Sequence, residues 1–280
     1  MRYCGREFTE REVDLITRLI ATGINRQSLA RMFCEEVHWR KPDGALKEMS
    51  CKVAFLRMHR DGHILLPPPT KPANNHLKRP KPTLFTGPKP EVIKNAGAYA
   101  LTVERAERET SALWNEYIDR YHYLGYTPLP GAQMRYFVKS EDQILALLGF
   151  GAAVWKCAPR DGYIGWDERE RKKNLHLIVN NARFLILPWV RSKNLASRIL
   201  SLAAQRIAAD WHARYRYEPV LLETFVEKDR FTGTCYKAAN WLCVGDTKGR
   251  GKLDTKHRHM LPVKSVWLYP LRKDFAQWLV

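Results

Sequence analysis

Apolar positions over residues 8–66 recur at helical spacing, and beyond residue 95 they shift to strand-like runs interrupted by helices. The chain therefore divides into a small helical part and a larger α/β part. Thr9 precedes an apolar series at Val13, Ile16, Leu19 and Ile20, the pattern of an N-capped amphipathic helix that Gly23 ends. A second helix is predicted from Arg26, Gln27 and Ser28 through Leu29, Met32, Phe33 and Val37. Asp43 and Gly44 supply a turn. The segment LKEMSCKVAFLRMHRDG then reads as a third helix closed by Gly62, with Met49, Val53, Leu56 and Met58 as its apolar positions. With the extended HILLPPP after it, residues 1–66 match a helix-turn-helix with a rudimentary, winged-helix-like wing.

Residues 67–95 are rich in Pro and Lys and lack apolar periodicity, which predicts a basic, semi-extended linker. Over 96–280 the expectation is an α/β domain. AYALTVERAERETSALWNEYIDRYHYLG is read as a helix with Leu113, Tyr117 and Ile118 on its apolar side, ending at Gly125. Strand-like runs follow in MRYFVKS, ILALLGFGAAVWKC and NLHLIVNNARFLILPWV. NLASRILSLAAQRIAADWHARY is the clearest helix, with Leu195, Ile199, Leu202, Ala203 and Ile207 on one stripe. Pro219–Phe225 (PVLLETF) is nearly all apolar, the signature of a strand buried on both faces, and VKSVWLYPL supplies a last strand. Together these describe an open, helix-covered sheet.

Charge changes the picture of the partner. A formal net charge of +18 favours a polyanion. Nine Trp, twelve Tyr and ten Phe supply flat faces that could stack on unpaired bases, so single-stranded DNA is the expected partner of the larger domain. On the third helix Lys47, Ser50, Lys52 and Arg57 are candidates for phosphates or bases in a major groove. The N-terminus is polar and no apolar run approaches the roughly 20 residues of a membrane span. Six scattered cysteines form no CxxC pair. These features predict a cytoplasmic chain with reduced thiols and no membrane partner.

The densest candidate chemistry lies in Glu223–Arg250, read as the end of a buried strand, a Gly-marked turn, a short helix start and a basic loop. Tyr236 is the candidate nucleophile for polynucleotidyl transfer. Its neighbour Cys235 points about 100° away on a helix, so one of the two faces a substrate. Glu223 is the candidate base or orienting group. Arg191, Lys193, Lys248, Arg250 and Lys252 could hold a phosphate. His122, beside Tyr123, is a further catalytic candidate, since imidazole titrates near neutrality. Asp161 and Asp167 flank GYIGW and read as Mg²⁺ ligands or as turn residues bordering a Gly-containing strand. No compact carboxylate cluster stands out, which weighs against a two-metal nuclease. No cofactor is expected, and Mg²⁺ stays open. The alternative for the whole window is a packed strand–helix corner.

The order of elements over residues 183–245 resembles the acetyl-CoA-binding half of the GNAT acyltransferases. The stretch Arg191-Ser-Lys-Asn194-Leu-Ala196 stands where that family has its pyrophosphate loop, with Asn in place of the first Gly, and CYKAANW sets Tyr236 on the usual general-acid tyrosine. HYLG (His122–Gly125), RDGYIGW (Arg160–Trp166), NNARFLILPWVRSKNLAS (Asn180–Ser197) and LLETFVEKDRFTGTCYKAANWLCVGDTKGRG (Leu221–Gly251) are similar to the DruA family of the Druantia anti-phage system and its mobile-element relatives. So is the N-terminal SLARMFCEEVHWRKPDGALKEMSCKVAFLRMHRDGHILLPPP. The resemblance implies a GNAT-like mixed sheet behind the helical module and a DNA-directed role in defence or mobile elements. Three functions stay open. One is a tyrosine-dependent DNA strand-transfer or joining enzyme on single-stranded or branched DNA. The others are a GNAT-like acyltransferase with Tyr236 as acid and Glu223 as base, and a non-catalytic DNA-recognition subunit beside a helicase or other system proteins.

Overall fold

The computed structural model describes residues 1–70, 91–94, 100–249 and 261–280, in two compact units, Met1–His76 and Leu77–Val280. In the first, β1 (Arg2–Tyr3) and β2 (Arg6–Glu7) form a small antiparallel pair ahead of α1 (Glu10–Ala21), α2 (Arg26–Glu36) and α3 (Glu48–Arg60). Thr9 closes a capping box on α1: its side chain accepts from the Glu12 amide, and the Glu12 carboxylate accepts from the Thr9 amide at 3.0 Å. Two amides that a helix start leaves open are thereby satisfied. Asn25 caps α2 through the amides of Gln27 and Ser28.

Three expectations for this unit are corrected. Helix α3 buries Cys51, Ala54, Phe55 and Met58, while Met49, Val53 and Leu56 are exposed. Phe55 decides the face, because its ring packs edge-on to Phe33 at 5.3 Å and is the largest apolar surface α3 can bury. The short turn, residues 22–25, joins α1 to α2; residues 37–47 before α3 exceed the roughly 3–4-residue turn of a helix-turn-helix. The described part of the expected wing, residues 63–69, forms no strand, and its Ile64 and Leu66 pack into the core. Of the candidate DNA contacts, Arg57 is exposed, whereas Lys47, Ser50 and Lys52 are half-buried.

The second unit runs β3 (Ile93–Lys94), β4 (Thr102–Arg105), α4 (Ser111–Tyr121), β5 (Gln133–Ser140), β6 (Gln143–Ala152), α5 (Ala158–Ile164) and α6 (Glu168–Asn174). It continues with β7 (Ile178–Ile186), β8 (Val190–Arg191), α7 (Leu195–Tyr215), β9 (Leu221–Glu227), α8 (Thr234–Ala238), β10 (Leu242–Asp246), β11 (Lys264–Pro270) and α9 (Phe275–Leu279). Most of the linker expected over 67–95 lies outside the described residues, but its end, β3, pairs in parallel with β8 and so belongs to this unit. The helix expected across residues 98–125 is correct only for α4. Its first part is the edge strand β4, because pairing with β5 and burial of Val103 override the local helix formers. GYIGW is not a strand: α5 begins with a proline in its first turn, ends at Gly165 in the left-handed conformation (φ 81°), and is followed by α6.

Seven strands form a mixed sheet in the order β10-β11-β9-β7-β6-β5-β4. Every pair is antiparallel except β7–β9, whose parallel connection needs the long crossover that α7 supplies. The apolar run PVLLETF falls in β9, inside the sheet as its composition predicts. Helices α7 and α8 cover the face of Val179 and Leu222, and α4, α5 and α9 cover the other. Among the described residues no helix is long and apolar enough to cross a membrane.

Candidate functional site

Strands β7 and β9 pair over only three residues each, Ile178–Asn180 with Leu221–Glu223, although both run on. Beyond that point the sheet forks. Just past the last pair, Ala182 is an unopposed bulge residue, since Gly149 faces Arg183 and Phe150 faces Asn181. The Asn181 side chain holds the bulge, donating to the Arg183 carbonyl at 3.1 Å and the Gly149 carbonyl at 3.4 Å. Bulges of this kind re-aim the side chains that follow, here Arg183.

Tyr236 fills the fork from the α7 face. Its phenol donates to Asn181 Oδ1 at 2.9 Å and lies 3.5 Å from Thr224 Oγ1, which itself donates to the Asn181 carbonyl at 2.9 Å. Gly233 makes this position possible: it takes φ 75° ahead of α8, and a Cβ there would come within 2.5 Å of Trp267. Burial raises the Tyr236 phenol above its ordinary value, and burial likewise raises the adjacent Cys235 thiol. Both are held in their protonated, less nucleophilic forms.

The expected contact between Tyr236 and Glu223 does not form. Glu223 and Thr224 are consecutive residues of a strand, so their side chains point to opposite faces. On its own face Glu223 is fully buried; it accepts from Arg160 Nη1 at 2.8 Å and from the Val154 amide at 2.7 Å. Arg160, also fully buried, donates in addition to Asp161 and the Val154 carbonyl, and Asp161 accepts from Trp166 and the Cys157 amide and lies 3.6 Å from Arg171. Burial raises the Glu223 carboxyl while Arg160 opposes the rise. The carboxylate is thus committed to a closed ion network that pins α5 to the central strand. Asp161 is part of that network and Asp167 caps α6, so neither is a free metal ligand. The described residues hold no group of three or more His, Cys, Asp or Glu side chains that could hold a metal ion.

At the mouth of the fork, His122 is buried and its Nδ1 accepts from the Leu124 amide at 3.2 Å, which leaves the proton on Nε2. Burial, with Arg183 nearby, lowers the imidazole to about 4. At neutral pH it is an uncharged donor and a poor base. Tyr123 and Phe231 are exposed beside it at a centroid distance of 5.5 Å, and the Arg230 guanidinium lies 5.0 Å from the Tyr123 ring. Arg191 and Lys193 are exposed ahead of α7, where Asn194 takes the left-handed conformation (φ 58°) in place of a glycine. Asn is among the few residues that do so readily. Lys248 is exposed beyond edge strand β10; Arg250 and Lys252 lie outside the described residues.

Sequence reasoning missed Arg160, Asn181 and Arg183. Asn180, Asn181 and Arg183 are polar residues inside an otherwise apolar strand, a pattern that signals an internal polar junction.

No curated protein matches the chain. Solved structures that are similar in fold include the polyamine N-acetyltransferase of Drosophila melanogaster, 12% identical over 61% of this chain and 100% of that one, with a TM-score of 0.40. An N-acetyltransferase from Staphylococcus aureus is 14% identical over 62% and 99%, at 0.38. An aminoglycoside acetyltransferase in complex with coenzyme A is 12% identical over 64% and 98%, at 0.39. At such scores and identities the likeness carries no chemistry to this chain. The family model for the Druantia protein DruA matches residues 69–259, well over half of the sequence and including every residue of the fork, and the chain belongs to the DruA family.

Proposed function

We propose that the larger unit binds single-stranded nucleic acid. One observation carries this reading: two exposed indoles, Trp155 and Trp278, stand on this unit, each with one arginine nearby, Arg171 at 5.8 Å and Arg272 at 4.6 Å, that pairs with Asp161 or Asp274 and so leaves the phosphates to other cations. Unpaired bases stack on such rings while cations track the phosphates. The net charge of +18 and the exposed Arg191, Lys193 and Lys248 support the same partner. Strand transfer by Tyr236 has less support, since the phenol must leave Asn181 and its expected base serves the other face. In a DruA-family member, binding of this kind suits recognition of DNA in anti-phage defence or mobile elements, beside a helicase or other proteins.

The test is titration of the full chain with a labelled oligothymidylate and with a duplex of equal length. The single strand is expected to bind more tightly, and Trp155→Ala and Trp278→Ala are each expected to weaken it by about 1–3 kcal/mol. Preference for duplex, or unchanged affinity in both variants, overturns the reading.

The fork favours a second reading, acyl transfer. Strands β7 and β9 part after Asn180 and Glu223, and Arg191 and Lys193 are exposed ahead of the left-handed Asn194 turn that opens α7. A donor with a pyrophosphate could lie there. Coenzyme A should then raise the melting temperature, and Arg191→Ala/Lys193→Ala should remove the shift.

A further inference from the structure

At the edge of the sheet away from β10, an open groove of about 560 Å³ lies between the β4–α4 connection, the start of β5 and the end of α7. Arg105, Arg108, Arg135 and Arg214 line it against a single carboxylate, Glu107, which pairs with Arg105 at 3.2 Å. Arg135 is the telling residue. It is half-buried, lies 5.1 Å from the Trp114 ring, and donates to Ser111 Oγ at 2.7 Å, Asn115 Oδ1 at 2.8 Å and Gln133 Oε1 at 2.9 Å. All three acceptors are neutral, and no ion pair joins Arg135 to a carboxylate among the described residues. Burial lowers this guanidinium from its ordinary value and Arg214 adds to that, opposed by Tyr126 and Tyr215. A cation taken from water and fixed in direction by neutral groups carries an unspent desolvation cost. An anion entering the groove removes that cost and relieves the repulsion between the arginines. Ser111 opens α4, and its N-cap Thr110 makes no side-chain bond to the first turn, so the helix adds a favourable dipole at the same place.

We propose that this groove is a phosphate-binding site for the nucleic-acid backbone, with Arg135 as its fixed donor and Arg108 and Arg214 as exposed clamps. A planar guanidinium matches phosphate oxygens in pairs, which is why arginine suits this ligand. The chemistry recognised is the phosphate oxyanion. Its assignment to a polynucleotide rests on the nucleic-acid reading above, with a free pyrophosphate-bearing molecule as the competing source.

The test uses the full chain, Arg135→Gln and Arg108→Ala/Arg214→Ala, with sodium pyrophosphate and a labelled oligothymidylate as probes. Pyrophosphate is expected to raise the melting temperature of the parent protein and of neither variant. The double variant, altered at two exposed positions, covers the case in which Arg135→Gln fails to fold. For the oligonucleotide, the slope of log K against log salt should fall by about 1.4 in the double variant, two phosphates at about 0.7 each for a single strand. A pyrophosphate shift that survives in the double variant, together with an unchanged salt slope, overturns the groove while leaving nucleic-acid binding in place. Pyrophosphate stabilisation that depends on these arginines in a protein that binds no oligonucleotide supports the phosphate site and overturns its assignment to a polynucleotide.

Discussion

Glu223 and Thr224 are neighbours in β9 and serve opposite faces of the sheet: the Glu223 carboxylate meets Arg160 at 2.8 Å, and the Thr224 hydroxyl meets the Asn181 carbonyl at 2.9 Å. One residue therefore locks α5 to the central strand while the next helps close the fork against Tyr236. The polar groups of this corner fall into two separate sets with different jobs.

Arg160→Met should destabilise the protein by about 3–5 kcal/mol, because it leaves Glu223 buried without its cation. Arg160→Met/Glu223→Leu should recover a large part of that loss. Urea denaturation followed by tryptophan fluorescence checks both; equal losses in the single and double variants would mean that the pair is not coupled.

Stability should fall as the pH drops from about 6.5 towards 4. The His122 imidazole is lowered to about 4 in the folded chain from an ordinary 6.5, so the unfolded chain binds the extra proton across that window. Its contribution is fully present above about 6.5 and is lost as pH falls through the folded value, for a total of roughly 3 kcal/mol. In His122→Gln that part of the slope should vanish, as read from denaturation midpoints at several pH values.

Gly233→Ala should cost about 2–4 kcal/mol, combining a left-handed backbone with a methyl driven against Trp267. The accompanying shift of α8 should appear as a change in the near-ultraviolet circular dichroism of Tyr236, Trp241 and Trp267, which pack together. A near-ultraviolet spectrum identical to that of the parent would argue that the Trp267 contact is relieved without moving the helix.

Tyr236→Phe should cost about 1–3 kcal/mol, since the buried Asn181 Oδ1 loses its donor. Oligonucleotide affinity should stay within about twofold, because the phenol faces the interior. Denaturing gels of the parent protein with DNA should show no adduct at this residue. An SDS-resistant adduct that disappears in the variant would restore the covalent mechanism.

Much of the architecture was legible because its signals are local. The N-cap at Thr9, the Arg–Gln–Ser start of α2, the long stripe of α7 and the apolar run of β9 each follow from neighbours in sequence. Elements whose local signals conflict were misread. Helix α3 carries two overlapping apolar stripes, and packing against Phe33 chose between them. Strand β4 is written in residues that also suit a helix, and the free edge of β5 claimed it. The glycines of RDGYIGW suggested a turn-bounded strand, where one of them instead ends α5.

By itself the sequence determined the division into a helical and an α/β part, the buried central strand, the surplus of positive charge and the family resemblance, because composition and periodicity are properties of the chain alone. Which polar groups meet was decided by the tertiary structure. Glu223 and Tyr236 are 13 positions apart, yet strand parity turns Glu223 to the face of the sheet opposite Thr224 and the Tyr236 phenol beside it. Their actual partners, Arg160 and Asn181, lie 63 and 55 residues away. A buried carboxylate or phenol takes whichever partner the packed sheet and helices bring within about 3 Å, and distance along the chain carries no information about that choice.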